Sequence, residues 1–378
     1  MHFLEHERAT LTNLLPGLDE ALAAAPLSTW ETPGNPGLDH FRAAGGPGLL
    51  VAAEHGGKGA DLLTAIRVQR AVGSRSPSLA VATTMHHFSV ASLVETAAQS
   101  SGMEWMLLAA IAKDNLLLAS GFAEGRTGQG ILNPAISARV EGDKVWLTGS
   151  KKPCSLAWSM DLLTASLPLP DEDGTPRLAV AVVPAKSSGL TVRPFWKSPV
   201  LAGTESDEVV LEDVEVPEDL LVRTDVGVDG ELDRLNTVGF VWFEALMTAS
   251  YLGAASALVE RTLAKPGVPA TARAQAVTAV ESAALMLHGL ATRASAGPVD
   301  DKVLAQALVC RYATQDLIVR VLDVCVETLG GMAFVSGDDI AYLHSACRAL
   351  AFHPPSRSRM HEALAGYFGA GEPLRIPV

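Results

Sequence analysis

Two isolated ionisable side chains in apolar surroundings are the first candidates for chemistry. His353 stands in "RALAFHPPSR" (348–357), where two prolines end an apolar helical stretch. Its imidazole titrates near neutrality and can serve as acid or base. The alternative is a ring that caps the helix end against backbone carbonyls. Glu244 stands in "WFEALMTASYLGAAS" (242–256), flanked by Trp242, Phe243 and Leu246. Burial would raise its pKa, which suits a general base and equally suits a Glu paired with an Arg. His86 and His87, in "TTMHHFSV" (83–90), are adjacent, but no Cys or Glu stands nearby at ligand spacing. No metal site is expected there. The four cysteines, Cys154, Cys310, Cys325 and Cys347, form no CxxC. They read as reduced packing residues in a cytoplasmic protein.

The elements that must position these groups fall into three segments. The chain has 378 residues, 48% hydrophobic and 19% charged, which predicts a compact globular protein of two or three domain-sized units. A net charge of −13 argues against nucleic acid. No uncharged apolar run reads as a membrane span, and "MHFLEHERATLTNLL" is charged from residue 5, unlike a signal peptide.

Residues 1–117 read as an N-terminal helical domain. "HERATLTNLLPGLDEALAAA" (6–25) has helical periodicity, and 59–98 reads as two helices broken by a Ser/Pro turn. Residues 118–226 read as a β domain of barrel or sandwich type. "ISARVEGDKVWLTGSKK" (136–152) carries a hairpin signal, "DEVVLEDVEVPEDLLV" (207–222) is β-branched, and "LPLPDEDGTP" (167–176) reads as a surface loop. Residues 227–378 return to long, alanine-rich helical patterns that predict a four-helix bundle.

This order, together with five local patterns, resembles the acyl-CoA dehydrogenase superfamily over nearly the whole chain. The patterns are "EHGGKG" (54–59), "VEGDKVWLTGSKKPCS" (140–155), "DEVVLEDVEVP" (207–217), "ETLGG" (327–331) and "HSACRALAF" (344–352). The resemblance implies that fold, a flavin (FAD, or FMN in a monooxygenase) and a homodimer or homotetramer. It implies that "SGFAEGRTG" (120–128) and "KKPCS" (151–155) flank the flavin ring, with Phe122, Ala123 and Gly125 offering backbone N–H groups to its pyrimidine edge. Ser155 matches a hydroxyl facing N5. Pro153 replaces a stacking aromatic. Gly330 and Gly331 would let backbone approach the cofactor of a partner subunit. His86, His87, Trp242 and Phe243 would face the substrate.

The departures from the family pattern set the chemistry. The usual catalytic Glu is replaced by Pro354, while Glu244 lies one residue from the position that other members use for their base. The reading placed first is therefore α,β-dehydrogenation of an acyl thioester, on coenzyme A or a carrier protein, with Glu244 as a displaced base and an electron-transfer flavoprotein as partner. The alternative is a reduced-flavin-dependent monooxygenase served by a flavin reductase. That branch carries a histidine like His353 in "HPP"-type runs over the flavin. The missing "R.QFG" motif, whose Arg meets the FAD pyrophosphate in dehydrogenases, suits exchangeable flavin. A second alternative is a flavin-binding homologue without redox activity.

Overall fold

The computed structural model describes residues 2–99, 104–126, 130–142, 144–171, 173–227 and 230–377. Among the described residues, seven α-helices open the chain: α1 Glu5–Leu14, α2 Leu18–Ala23, α3 Leu27–Trp30, α4 Gly37–Ala43, α5 Leu62–Arg75, α6 Pro77–Gln99 and α7 Glu104–Asp114. Eight strands follow: β1 Leu118–Gly121, β2 Ser137–Glu141, β3 Lys144–Cys154, β4 Leu162–Pro170, β5 Pro176–Pro184, β6 Leu190–Arg193, β7 Asp207–Pro217 and β8 Leu221–Arg223. Five helices close it: α8 Arg234–Ala264, α9 Ala270–Ser295, α10 Asp301–Ser336, α11 Asp338–Arg348 and α12 Arg357–Ala370.

Local chemistry sets the boundaries. Asp61, Asp233 and Asp300 cap α5, α8 and α10 by accepting from the backbone N–H groups of Thr64, Asn236 and Val303 at 2.8–3.0 Å. Ser76 is extended because Pro77 follows it, so α5 and α6 separate at the Ser/Pro turn. The helical stretch 6–25 divides into α1 and α2. Pro16 cannot continue α1, and Gly17 takes φ +84° before α2.

The strands form two four-stranded sheets, β1-β4-β5-β8 and β2-β3-β7-β6. The first turns its β1 edge parallel to β4, beneath α6. The second holds the expected hairpin, with Glu141 opposite Lys144. The loop expected at 167–176 is narrower. β4 and β5 pair as far as Pro170 opposite Pro176, leaving only 171–175 as the turn. Leu163, Ala165, Leu167 and Leu169 point alternately into the core, and that burial prevails over the turn signal of the prolines.

Helix α8 is the hub, packed by α5, α6, α9, α10 and α11. Its crossing with α5 is so close that a Cβ on Gly73 would meet the Ser250 carbonyl at 2.2 Å, and one on Gly253 the Arg70 carbonyl at 2.3 Å. By length and composition α8 could cross a membrane. It is instead a core helix, with 94% of its most apolar window buried inside the protein.

Candidate active site

A cavity of about 370 Å³ opens where the three segments meet. That lies within the range of about 300–1,000 Å³ usual for small-molecule sites. One wall is α6, through Met85, Phe88 and Ser92. The facing wall is the first half of α8, through Gly239, Phe240 and Phe243. The floor comes from the strands and their loops, through Phe122, Ala123, Pro153, Ser155, Thr204 and Ser206. The turn after α11 closes the end with Phe352, His353 and Pro354. No Asp, Glu, Lys, Arg or Cys lies on the described walls. Tyr251 and His353 are the only ionisable groups there.

His353 and Tyr251 are hydrogen-bonded, Nε2 to Oη, at 2.8 Å. Burial, aided by the nearby Arg311 charge, pushes the imidazole down to about 3, so the ring is neutral near pH 7. Burial pushes the Tyr251 phenol up, so it keeps its proton. The ring edge of Phe243 flanks His353 at 6.2 Å between centroids.

Arg311, on α10 and fully buried, fixes the turn that carries His353. It donates to the His353 carbonyl, to the Leu350 carbonyl at 3.1 Å and to the Pro354 carbonyl at 3.4 Å. Its counter-ion is Glu244, both of whose oxygens lie 2.9 Å from Nη1. Burial pushes the Glu244 carboxyl up, and the guanidinium pulls it back. Glu244 is absent from the cavity wall and bound on both oxygens, so it is a counter-ion and not the expected base.

The other expectations divide. Phe122, Ala123, Pro153, Ser155, Phe243 and His353 come together on the cavity. Gly125 sits behind the lining at φ +66°, packed on Lys152. Within 120–128, residues 127 and 128 lie outside the described residues. His86 does not face the cavity. It bridges the Pro47 carbonyl at 2.9 Å and the Leu118 N–H at 3.0 Å, and burial lowers it to about 4. His87 is buried against Phe41, and Trp242 packs on the core outside the wall. Gly330 and Gly331 lie outside the cavity at the kink of α10, where Lys265 donates to the Leu329 carbonyl at 2.6 Å. Cys154 is buried beside the floor, and burial pushes its thiol up to about 12, which makes it packing.

Sequence reading missed Tyr251, Arg311, Thr204 and Ser206. A lone Arg in the apolar run "ALVCRYATQDLIV" is the same anomaly as a lone Glu in α8. Two opposite anomalies on long core helices are the signal for a pair. Tyr251 had no such mark.

A cavity whose described walls are uncharged and largely apolar, with a hydroxyl-bearing floor, fits an isoalloxazine ring, which is planar, apolar on its faces and polar along its edges. The chain belongs to the acyl-CoA dehydrogenase-fold flavoproteins, a family that includes flavin monooxygenases, and it is a flavin-dependent oxidoreductase. No protein-family model matches it. It is 48% identical over 379 residues to isobutylamine N-hydroxylase of Streptomyces viridifaciens, covering 100% of both chains. Among solved structures, KijD3 in complex with FMN and a dTDP-amino-keto sugar matches with TM-score 0.83 and 20% identity, over 97% of this chain and 94% of that one. TdsC of Paenibacillus sp. A11-2 with FMN and indole matches with TM-score 0.84 and 17% identity, over 100% and 99%.

These findings overturn acyl-thioester dehydrogenation. The full-length relative is an amine hydroxylase, and the carboxylate that dehydrogenation requires is tied to Arg311. They do not support FAD in particular. The cofactor is a flavin and the substrate a small molecule.

Proposed function

We propose that this chain N-hydroxylates a small aliphatic primary amine with reduced FMN and dioxygen, the reduced flavin coming from a separate flavin reductase. The observation that carries this is a cavity whose described walls hold no charged side chain. α,β-Dehydrogenation needs a carboxylate there, and among the described residues none lines it. N-hydroxylation needs an amine with a free lone pair, and walls without a counter-ion admit the neutral amine while penalising the ammonium form. Bound reduced flavin supplies the electrons that let one oxygen atom of dioxygen enter the substrate and the other leave as water.

The chain's own groups do the rest. Ser155, Thr204, Ser206 and the backbone at Phe122 and Ala123 hold the ring edge. Phe88, Phe240 and Phe243 hold the alkyl group and exclude water. The neutral His353–Tyr251 pair, joined Oη to Nε2, holds the imidazole in place and leaves its other ring nitrogen, Nδ1, to hydrogen-bond the reacting centre. The FMN-bound neighbours support FMN over FAD. Exposed Met332, Phe334 and Val335 near the end of α10 support a homo-oligomer, and four free buried thiols support a reducing, cytoplasmic setting.

The protein, FMN, NADH, a flavin reductase and isobutylamine should together yield the hydroxylamine. The rate should rise with pH as the free amine fraction grows. If short-chain primary amines give no N-oxygenated product while the reductase keeps turning over, the assignment fails.

A further inference from the structure

Glu31 follows α3 and is buried, yet among the described residues its carboxylate has no cation for a partner. Neutral donors hold it instead. Ser76 Oγ donates to it at 2.7 Å, the Ser78 N–H spans both oxygens at 3.1 and 3.2 Å, and the Ser78 and Tyr342 hydroxyls complete the set. An ionised carboxylate has about four lone-pair sites, and these donors occupy them. Each donor belongs to an element that builds the cavity. Ser76 and Ser78 flank the start of α6, whose Val81, Met85 and Phe88 line one wall. Tyr342 lies on α11, which leads into the turn of His353.

Tyr342 makes a second bond. Its Oη accepts from the Leu201 N–H at 2.9 Å. Leu201 lines the cavity and opens the 3₁₀ turn Ala202–Thr204, with its own backbone at φ +60°. Glu205 closes that turn at φ +54°. Two residues with a Cβ in the left-handed region make this a strained turn, which keeps its shape only where its surroundings hold it. The α3 end presses on its middle, so closely that a Cβ on Gly203 would meet the Trp30 carbonyl at 2.6 Å. Tyr342 holds its first N–H.

The two bonds of Tyr342 reinforce each other. A phenol that donates to a carboxylate gains negative charge on its oxygen, so it accepts more strongly from the Leu201 N–H. We propose that Glu31 and Tyr342 are positioning residues for the cavity: the carboxylate polarises the phenol, and the phenol holds the strained turn Leu201–Glu205 in the shape that receives the flavin. Neither side chain lines the cavity, so both act through Leu201. The proposal rests on the flavin reading of the cavity and is independent of which substrate is oxygenated.

The test measures the Kd for FMN on folded protein, kcat at saturating flavin, and amide hydrogen exchange at Leu201 on the protein alone. Tyr342→Phe removes both bonds and keeps the ring. Its Kd should rise about fivefold to tenfold, the scale of one buried hydrogen bond, with kcat within about twofold. Leu201 should exchange faster while the amides of α8 stay as they are. Glu31→Gln turns one oxygen into a donor, so the phenol loses its charged acceptor, and Kd should rise about threefold. The double variant should bind FMN no worse than Tyr342→Phe alone, because the carboxylate works through a phenol already gone.

An unchanged Kd in Tyr342→Phe overturns the proposal, and so does unchanged exchange at Leu201. Multiplying losses in the double variant would make Glu31 a stabiliser of the fold acting apart from Tyr342, and overturn it too. A protein that shows the expected shifts yet makes no N-hydroxylated product sinks the amine assignment and leaves the positioning role standing. One that binds no FMN removes the flavin reading and the proposal with it.

Discussion

Two arginines are buried at helix junctions, and they are put to different use. Arg70, on α5, donates to Glu7 on α1 and Glu281 on α9, both at 2.6 Å, and to Ser256 on α8 at 3.3 Å. All its hydrogen-bond partners are side chains on helices, so it ties rods together. Arg311 has one carboxylate partner, and its remaining bonds go to the carbonyls of a turn. Those carbonyls belong to the segment that closes the cavity. A buried ion pair is weak evidence of stabilisation in itself, because desolvation offsets much of the attraction. What distinguishes the two is what each guanidinium holds: helix packing in one case, the position of His353 in the other.

The sharpest way to break this comparison is to remove each cation in turn. Arg311→Met and Arg70→Met should each destabilise the fold by about 3–5 kcal/mol, because the first strands buried Glu244 and the second strands Glu7 and Glu281. Their turnover should diverge. Folded Arg70→Met should keep kcat within about twofold. Folded Arg311→Met should lose on the order of a hundredfold, since a shift of about 1 Å in a catalytic group has that effect. Thermal melts paired with kcat per folded molecule decide it. Equal kcat losses would mean that Arg311 is only structural.

A smaller effect tests the side-chain anchor of the same ring. Tyr251→Phe removes one hydrogen bond to His353 and should cost about 1 kcal/mol, or about fivefold in kcat, with KM for the amine little changed. The corresponding truncation at the other arginine, Ser256→Ala, should leave kcat alone. A KM effect larger than the kcat effect would move Tyr251 from orienting the ring to binding substrate.

The contrast also shows what the sequence can reveal. The helix–strand–helix order, the Glu141–Lys144 hairpin and strand β7 were legible because period and turn chemistry are local. His353 was legible because two prolines frame it. The role of Glu244 was not, because its partner lies 67 residues away and only folding decides whether a lone acid meets a cavity or a cation. The hydroxyl-bearing floor was half legible. Ser155 sits in a recognisable strand pattern, but Thr204 and Ser206 are ordinary loop residues, and only folding brings them beside it. His86 misled because a histidine on a helix near a cavity gives no sign of which way it faces. Its two ring nitrogens satisfy backbone groups instead.

The smallest expected effect concerns protons. His353 in the native state sits near 3 against about 6.5 unfolded, His86 near 4, and His87 well below its ordinary value. Below pH 6.5 the unfolded chain therefore binds protons that the native chain refuses, so this contribution to stability is lost as pH falls from 6.5 towards 3. Glu31 opposes it. Burial pushes that carboxyl up to about 7 among Ser76, Ser78 and Tyr342, so the native state holds a proton that the unfolded chain releases above its ordinary value of 4.5. Its contribution is lost as pH rises from 4.5 through 7. Between pH 5 and 6.5 three histidines outweigh one carboxyl, and Tm should fall as the solution is acidified. His353→Asn should flatten that slope, and Glu31→Gln should steepen it. On the Arg70 side, half-buried His288 is also lowered, but it is only partly shielded from solvent, so His288→Asn should change the slope less than His353→Asn. An equal change would mean that the turn held by Arg311 is open to water and that the two arginine sites are not as different as their bonds imply.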